Sequence, residues 1–223
     1  MPGYIDHVLA RFQHSAGRSP EHAPHPWQRP NYGAKTQFAA LPDETPALDA
    51  TDKTRILEVL GTLLFYARAI DSTMLTAIGE LAAEQSQATK STMDKLSQLL
   101  NFCAAHPDAT VRFTASDMIL AVESDASHLS VVKGRSRAAG YFFLTNKLAS
   151  PTSPYTPNGA VHVLCHIMCE VLSSAAEAEL GALFHNGKRH VRFALPLKKW
   201  VIRNLPHPWQ PTTTLHVASR RTR

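Results

Sequence analysis

The sequence predicts an α+β protein, a helical connection segment followed by a mixed sheet with a flanking helix. Three observations carry this expectation. Apolar residues recur at three- and four-residue spacing through residues 51–106. From Asp108 the pattern changes to short β-branched and aromatic runs divided by polar or Pro/Gly breaks. At Ser173 a helical pattern returns, which places a helix after the strands.

Residues 1–50 are expected to be an extended, Pro-rich segment. Pro20, Pro24, Pro26, Pro30, Pro42 and Pro46 each remove a backbone donor and hold the preceding residue away from helix. Such a segment needs another body to lie against. Residues 51–107 form the helical connection. Ile56, Val59, Leu60, Leu63, Leu64 and Ala67 make one apolar stripe, with Thr51 or Asp52 as its cap. A second helix starts near Ser72 with Met74, Leu75, Ile78, Leu81 and Ala82. A third follows Thr89 with Met93, Leu96, Leu99, Leu100 and Cys103, and Pro107 ends it. Residues 108–196 then hold strands at 111–115, 118–123, 140–145 and 160–167, three of them a meander. A helix over 173–186 opens on Ser174 and Glu177, a capping-box pattern. Pro196 is expected to interrupt that helix, leaving 197–223 as a basic tail.

Charge is unevenly placed. The net charge is +5, yet residues 1–179 hold 14 Lys and Arg against all 18 acids, a balance of −4. Residues 180–223 hold nine Lys and Arg and no acid. A basic segment on an acidic body suits either a solvated tail or a nucleic-acid partner. No window approaches the roughly 20 apolar residues of a membrane helix. The start MPGYIDHVLARF lacks a secretory pattern. With three cysteines, Cys103, Cys165 and Cys169, reduced thiols in a cytoplasmic or nuclear, non-secreted protein are expected.

Two acids stand out. Asp125 follows the apolar run MILAVES, where a carboxylate costs energy unless it is paired, hydrogen-bonded or on a metal. Glu179 lies early in the last helix beside Leu180 and Ala182, whereas Glu177 has a capping role. A strand Asp and an early-helix Glu are ligand types that a two-metal phosphodiester hydrolase uses. Without more, a turn Asp and a surface Glu are the commoner reading of such a pair.

Longer stretches add context. LGTLLFYAR at 60–68, SDAS at 124–127, RSRAAGYFF at 135–143 and SSAAEAEL at 173–180 occur in this order. So do YGAK at 32–35 and AAHPDATVR at 104–112. Together they resemble the polyprotein of copia-type LTR retrotransposons at the junction of reverse transcriptase and ribonuclease H. The resemblance runs from Tyr4 to about Pro211. It implies a truncated ribonuclease H-like sheet over 108–196, preceded by the end of the polymerase and its connection. It implies that Asp125 is the first catalytic, metal-binding Asp and Glu179 the catalytic, metal-binding Glu on the first helix. It implies Mg²⁺ or Mn²⁺ as cofactor, an RNA–DNA hybrid as partner, and the remaining retroelement polyprotein as neighbour. Arg135 and Arg137, expected in a turn beside the cleft, are candidates for phosphate contact.

The chain departs from the family pattern. The third carboxylate belongs on a strand after the first helix, where this chain has Leu215, His216, Val217, Ala218 and Ser219. Val217 stands about where the Asp belongs, and no acid follows Glu179. After the helix, where relatives are acidic, the chain reads KRHVR at 188–192. The expectation is a degenerate element copy without useful hydrolysis. Two alternatives are an active nuclease completed by an acid from another chain, and a nucleic-acid-binding or purely structural leftover.

Other candidates have plainer readings. His162, Cys165, His166 and Cys169 share a face only on a helix, and the stretch reads as strand, so buried thiols and a strand-face His are expected over zinc. Trp27, Trp200 and Trp209 lie near basic residues, where packing against the body is expected over stacking on bases.

Overall fold

The computed structural model describes residues 1–26, 43–131, 134–147, 150, 155–204 and 217–218. The 32–35 motif, Trp27 and Trp209 lie outside the described residues, as does the side chain of Trp200. The contacts divide the chain into two compact units, Met1–Thr110 and Val111–Arg223.

The first unit is helical: α1 (Tyr4–Arg11), α2 (Ala50–Ala69), α3 (Leu75–Glu84) and α4 (Lys90–Ala105). Residues 4–11 are thus helical, not extended as expected, because Ile5 and Val8 bury completely on one face. Residues 14–23, which follow, lie along α4. Asn101 Oδ1 meets His14 Nε2 at 2.8 Å and the Gly17 amide at 3.2 Å, and Gln98 donates to the Ala23 carbonyl at 3.2 Å. The cap of α2 is Asp49, which accepts from the Asp52 amide at 2.8 Å, rather than Thr51 or Asp52. Ile56, Val59, Leu60, Leu63, Tyr66 and Ala67 make its buried face. Thr89 caps α4 in a reciprocal pair with Thr92. Cys103 faces inward with its Sγ 3.4 Å from Met74 Sδ, and burial pushes its thiol up to about 12. A thiol in that state is a packing group rather than a nucleophile.

The second unit is a four-stranded sheet in the order β3-β2-β1-β4 with one long helix. The strands β1 (Ile119–Val131), β2 (Arg135–Thr145) and β3 (Ala160–Ile167) form an antiparallel meander. The helix α5 (Ala175–Asn204) follows, and β4 (Val217–Ala218) then runs parallel to β1 on the side away from β2. Two core clusters lie between sheet and helix. One is Leu120, Val122, Phe142 and Leu164; the other is Ala138, Met168, Ala178 and Ala182. No helix among the described residues is long and apolar enough to cross a membrane.

Three expectations about elements are corrected. Residues 111–115 form no strand. Asn158 takes the ladder's place: its Oδ1 accepts from the Thr114 amide at 2.8 Å, and its Nδ2 donates to the Thr114 and Leu144 carbonyls at 2.9 and 2.8 Å. Next, β1 does not stop at Asp125. Ser124, Ala126 and Ser127 pair with Gly140, Ala138 and Arg137, and the break comes near Leu129, at φ 51°. Lastly, α5 continues through Pro196 to Asn204. A helix-interior proline costs about 3 kcal/mol or more. Pro196 and Arg192 both face solvent, so water can take the released carbonyl.

Candidate functional site

The site forms where α5 starts above β1. Ser174 caps the helix by accepting from the Glu177 amide at 3.1 Å. Glu177 reaches back to the amide and hydroxyl of Ser173, at 2.7 and 2.9 Å, which holds its carboxyl below the usual range. The reciprocal cap therefore closes on Ser173 and not on the Ser174 amide. Glu177 is committed to structure, and Glu179 is left for other work.

Four residues seat the helix. Ala178, Ala182, Asn186 and His190 recur every fourth position and all are buried. Leu180, next to Glu179, points outward. The two alanines bring the helix close to Ala138 and Ala126. Asn186 Nδ2 donates to Ser124 Oγ and to the Ala139 carbonyl, both at 2.8 Å. His190 Nε2 lies 3.3 Å from the Leu120 carbonyl, which requires the proton on that nitrogen. Gly140 makes room for Asn186. A Cβ built at Gly140 would lie 1.9 Å from Asn186 Oδ1. Sequence reasoning did not single out Asn186, His190 or Gly140. The available signal was a glycine inside an otherwise bulky strand, a mark of close approach by another group.

The structure brings Asp125 and Glu179 within electrostatic reach. Burial first, and then the charge of Asp125, raise the Glu179 carboxyl above its ordinary value. A hydrogen bond from the Ala126 backbone acts against that rise. The two acids come from different directions. Leu120, Val122, Ser124 and Ala126 turn toward α5, so strand alternation turns Asp125 to the opposite face, where it is exposed. Glu179 is half-buried on the flank of α5. On the far side of β1, Val217 pairs with Val122 and Ala218 with Glu123, so both stop short of Asp125.

Arg135 and Arg137 are not in a turn. Both belong to β2, paired with Val131 and Ser127. Arg137 is buried, with Nη1 3.7 Å from Cys165 Sγ on β3. A guanidinium packed this way is not presented to a phosphate. Arg135 is half-buried, and its Nε lies inside the unit. The strand pairing explains the difference: β1 and β2 extend toward each other as far as the Val131–Arg135 pair, into a stretch expected to lie between strands.

The His and Cys residues near β3 do not converge. His162 and His166 turn toward α5, His162 tilted against Phe193 and His166 edge-on to His185, while Cys165 lies on the other face beside Arg137. His185 in turn meets Glu170 at 3.1 Å. Burial and the neighbouring His185 lower the His166 value. Among the described residues, no group of three or more His, Cys, Asp or Glu could hold a metal ion. The chain matches no family model, no curated protein and no solved structure.

The raised Glu179 value carries a stability consequence. Its ionised form is disfavoured in the folded chain, so Glu179 opposes folding at neutral pH. That opposition fades as pH falls through the raised value and is gone below the ordinary carboxylate range. Glu179→Gln is therefore expected to raise Tm near neutral pH. The gain should vanish by about pH 3, where both states are protonated. Thermal melts of the two proteins across pH measure this difference. An unchanged gain at acid pH would assign the effect to packing.

Proposed function

We propose that residues 111–223 are a ribonuclease H-type scaffold from a copia-type LTR retrotransposon polyprotein, with RNA hydrolysis lost and weak RNA–DNA hybrid binding retained. The observation that carries the reading is the sheet: an antiparallel β1–β2–β3 meander, then α5, then a strand parallel to β1 on its free side. That chain path is what the resemblance implies. The placement of Asp125 on β1 and Glu179 early in α5, with the Asp125 charge felt at Glu179, adds a second support.

A pair of Mg²⁺ or Mn²⁺ ions does not fit the residues present. Hard divalent ions need several oxygen ligands each, and two ions need carboxylates shared between them. Here Glu123 and Asp125 share one face of β1 while Glu179 lies on the flank of α5, and among the described residues no three such side chains converge. Val217 and Ala218 bring no oxygen side chain to β1. The reading is therefore of a binding scaffold rather than a working nuclease. Hybrid recognition would rest on phosphate contacts by exposed cations such as Lys188, Arg189 and Arg192.

The expected result is no Mg²⁺- or Mn²⁺-dependent cleavage of the RNA strand in a hybrid, together with salt-dependent binding of that hybrid. A gel cleavage assay and a binding titration over a salt series test the two parts. Cleavage abolished by Asp125→Asn would overturn the loss of hydrolysis. Binding absent at low salt would favour the second reading, a structural leftover with no nucleic-acid role.

A further inference from the structure

We propose that the outward face of α5 docks an acidic amphipathic helix of a partner protein. This inference goes beyond the hybrid reading and uses two of the same cations, Lys188 and Arg192, so a bound helix and a hybrid would compete for this flank. Leu180, Phe184, Val191 and Leu195 are 65%, 58%, 60% and 61% exposed. At about 100° per residue they fall within roughly 60° of arc, opposite the stripe that seats the helix on the sheet. Four large side chains held in one line on a rigid helix form a contiguous apolar surface, unlike scattered exposed residues.

Shape and charge define the occupant. Gly187 lies on the same line between Phe184 and Val191, and nothing comes within 4 Å of the position a Cβ would take there. Phe184, Gly187 and Val191 thus make a 3–4 seam with an open notch, the form that receives a side chain from a second helix. Lys188 and Arg192 are exposed along one flank of the seam, and Lys188 Nζ sits 4.1 Å over the Phe184 ring. No acid lies on α5 after Glu179 to offset them, and the acid held beside this helix, Glu170, is engaged by His185 at 3.1 Å. A flank of one sign selects a partner of the other sign, and it opposes pairing with a second copy of this chain. A phosphate backbone would use the cations but not the apolar line.

The test uses the full chain and two synthetic peptides of about four heptads, with Leu at the core positions and either Glu or Lys on both flanks. The Glu peptide should bind in the low-micromolar range and weaken with salt, and the Lys peptide should bind at least about tenfold more weakly. Phe184→Glu with Val191→Glu should abolish binding while the circular dichroism stays that of the folded chain. Lys188→Glu with Arg192→Glu should reverse the peptide preference, a result that loss of fold cannot imitate. No binding of the Glu peptide at about 100 µM overturns the proposal, as does equal binding of the two peptides. So does a charge-reversed variant that still prefers Glu. Self-association in sedimentation, or flotation with phosphatidylglycerol vesicles, lost in the Phe184/Val191 variant, would reassign the face to a second copy or a membrane and overturn it too.

Discussion

Gly140→Ala is expected to destabilise the second unit by about 2–4 kcal/mol, a large share of an ordinary folding free energy. The added methyl would enter the space of the Asn186 amide, 1.9 Å from its Oδ1. Asn186 is fully buried on α5 and has no open side to move into. Its displacement breaks the bonds to the buried Ser124 hydroxyl and to the Ala139 carbonyl. Because Asn186 seats the helix that carries Glu179, the damage reaches the candidate site. Denaturant unfolding followed with hydrogen exchange over 119–190 measures it. Gly140→Ala paired with Asn186→Ala separates steric from polar loss: the double variant should recover part of the stability. If Gly140→Ala alone leaves exchange unchanged, the close contact does not hold α5 in place.

The second large effect belongs to the first unit. Tyr66→Ala is expected to cost about 3–5 kcal/mol, the usual range for truncating a large aromatic residue in a core. Tyr66 is 1% exposed on α2 and stacks on Tyr4, with ring centroids 5.3 Å apart and planes 7° from parallel. Its hydroxyl donates to the Pro107 carbonyl at 3.3 Å, so it also holds the chain that leaves α4. Tyr66→Phe keeps the ring and should cost only about 1 kcal/mol for the lost hydrogen bond. Chemical denaturation of both variants checks the ratio. Equal losses would assign the stability to the hydroxyl and not to the ring.

Much of the architecture was legible wherever one local signal dominated. The bounds of β3 follow from Val161, Val163 and Ile167 at alternating positions after a Pro/Gly loop. Most inward residues of α2 and α4 follow from their spacing, but Tyr66 and Phe102 are buried off the expected stripes, and Leu64 and Met93 on them are only half-buried. The errors share a cause: side chains far away in sequence overrode the local pattern. Asn158 satisfied the backbone at Thr114, so a stretch that looked like strand needed no strand partner. Small residues of β2 carried β1 past Asp125 into a polar stretch that reads as a turn. Solvent access at Arg192 and Pro196 let α5 run on through a residue that would break a buried helix.

The candidate site was legible only in part. Asp125 and Glu179 could be named because acids next to apolar runs are conspicuous. Their opposite facings depend on strand register, which no local pattern supplies. Arg137 looked like a solvent-facing cation because Arg usually is one. Its burial beside Cys165 depends on β3 arriving across the sheet.

The position of β3 at the rim of the sheet has a practical side. Its outer backbone groups have no strand partner among the described residues. Its sequence, AVHVLCHI, holds no Lys, Arg, Asp, Glu or Pro to discourage pairing with another chain. Short apolar segments of this kind nucleate cross-β aggregates when a chain is partly unfolded and crowded. Solubility during expression and refolding should therefore depend on how quickly α5 closes over the meander. Dilute refolding, or a lysine introduced at the exposed Val161, addresses that hazard directly.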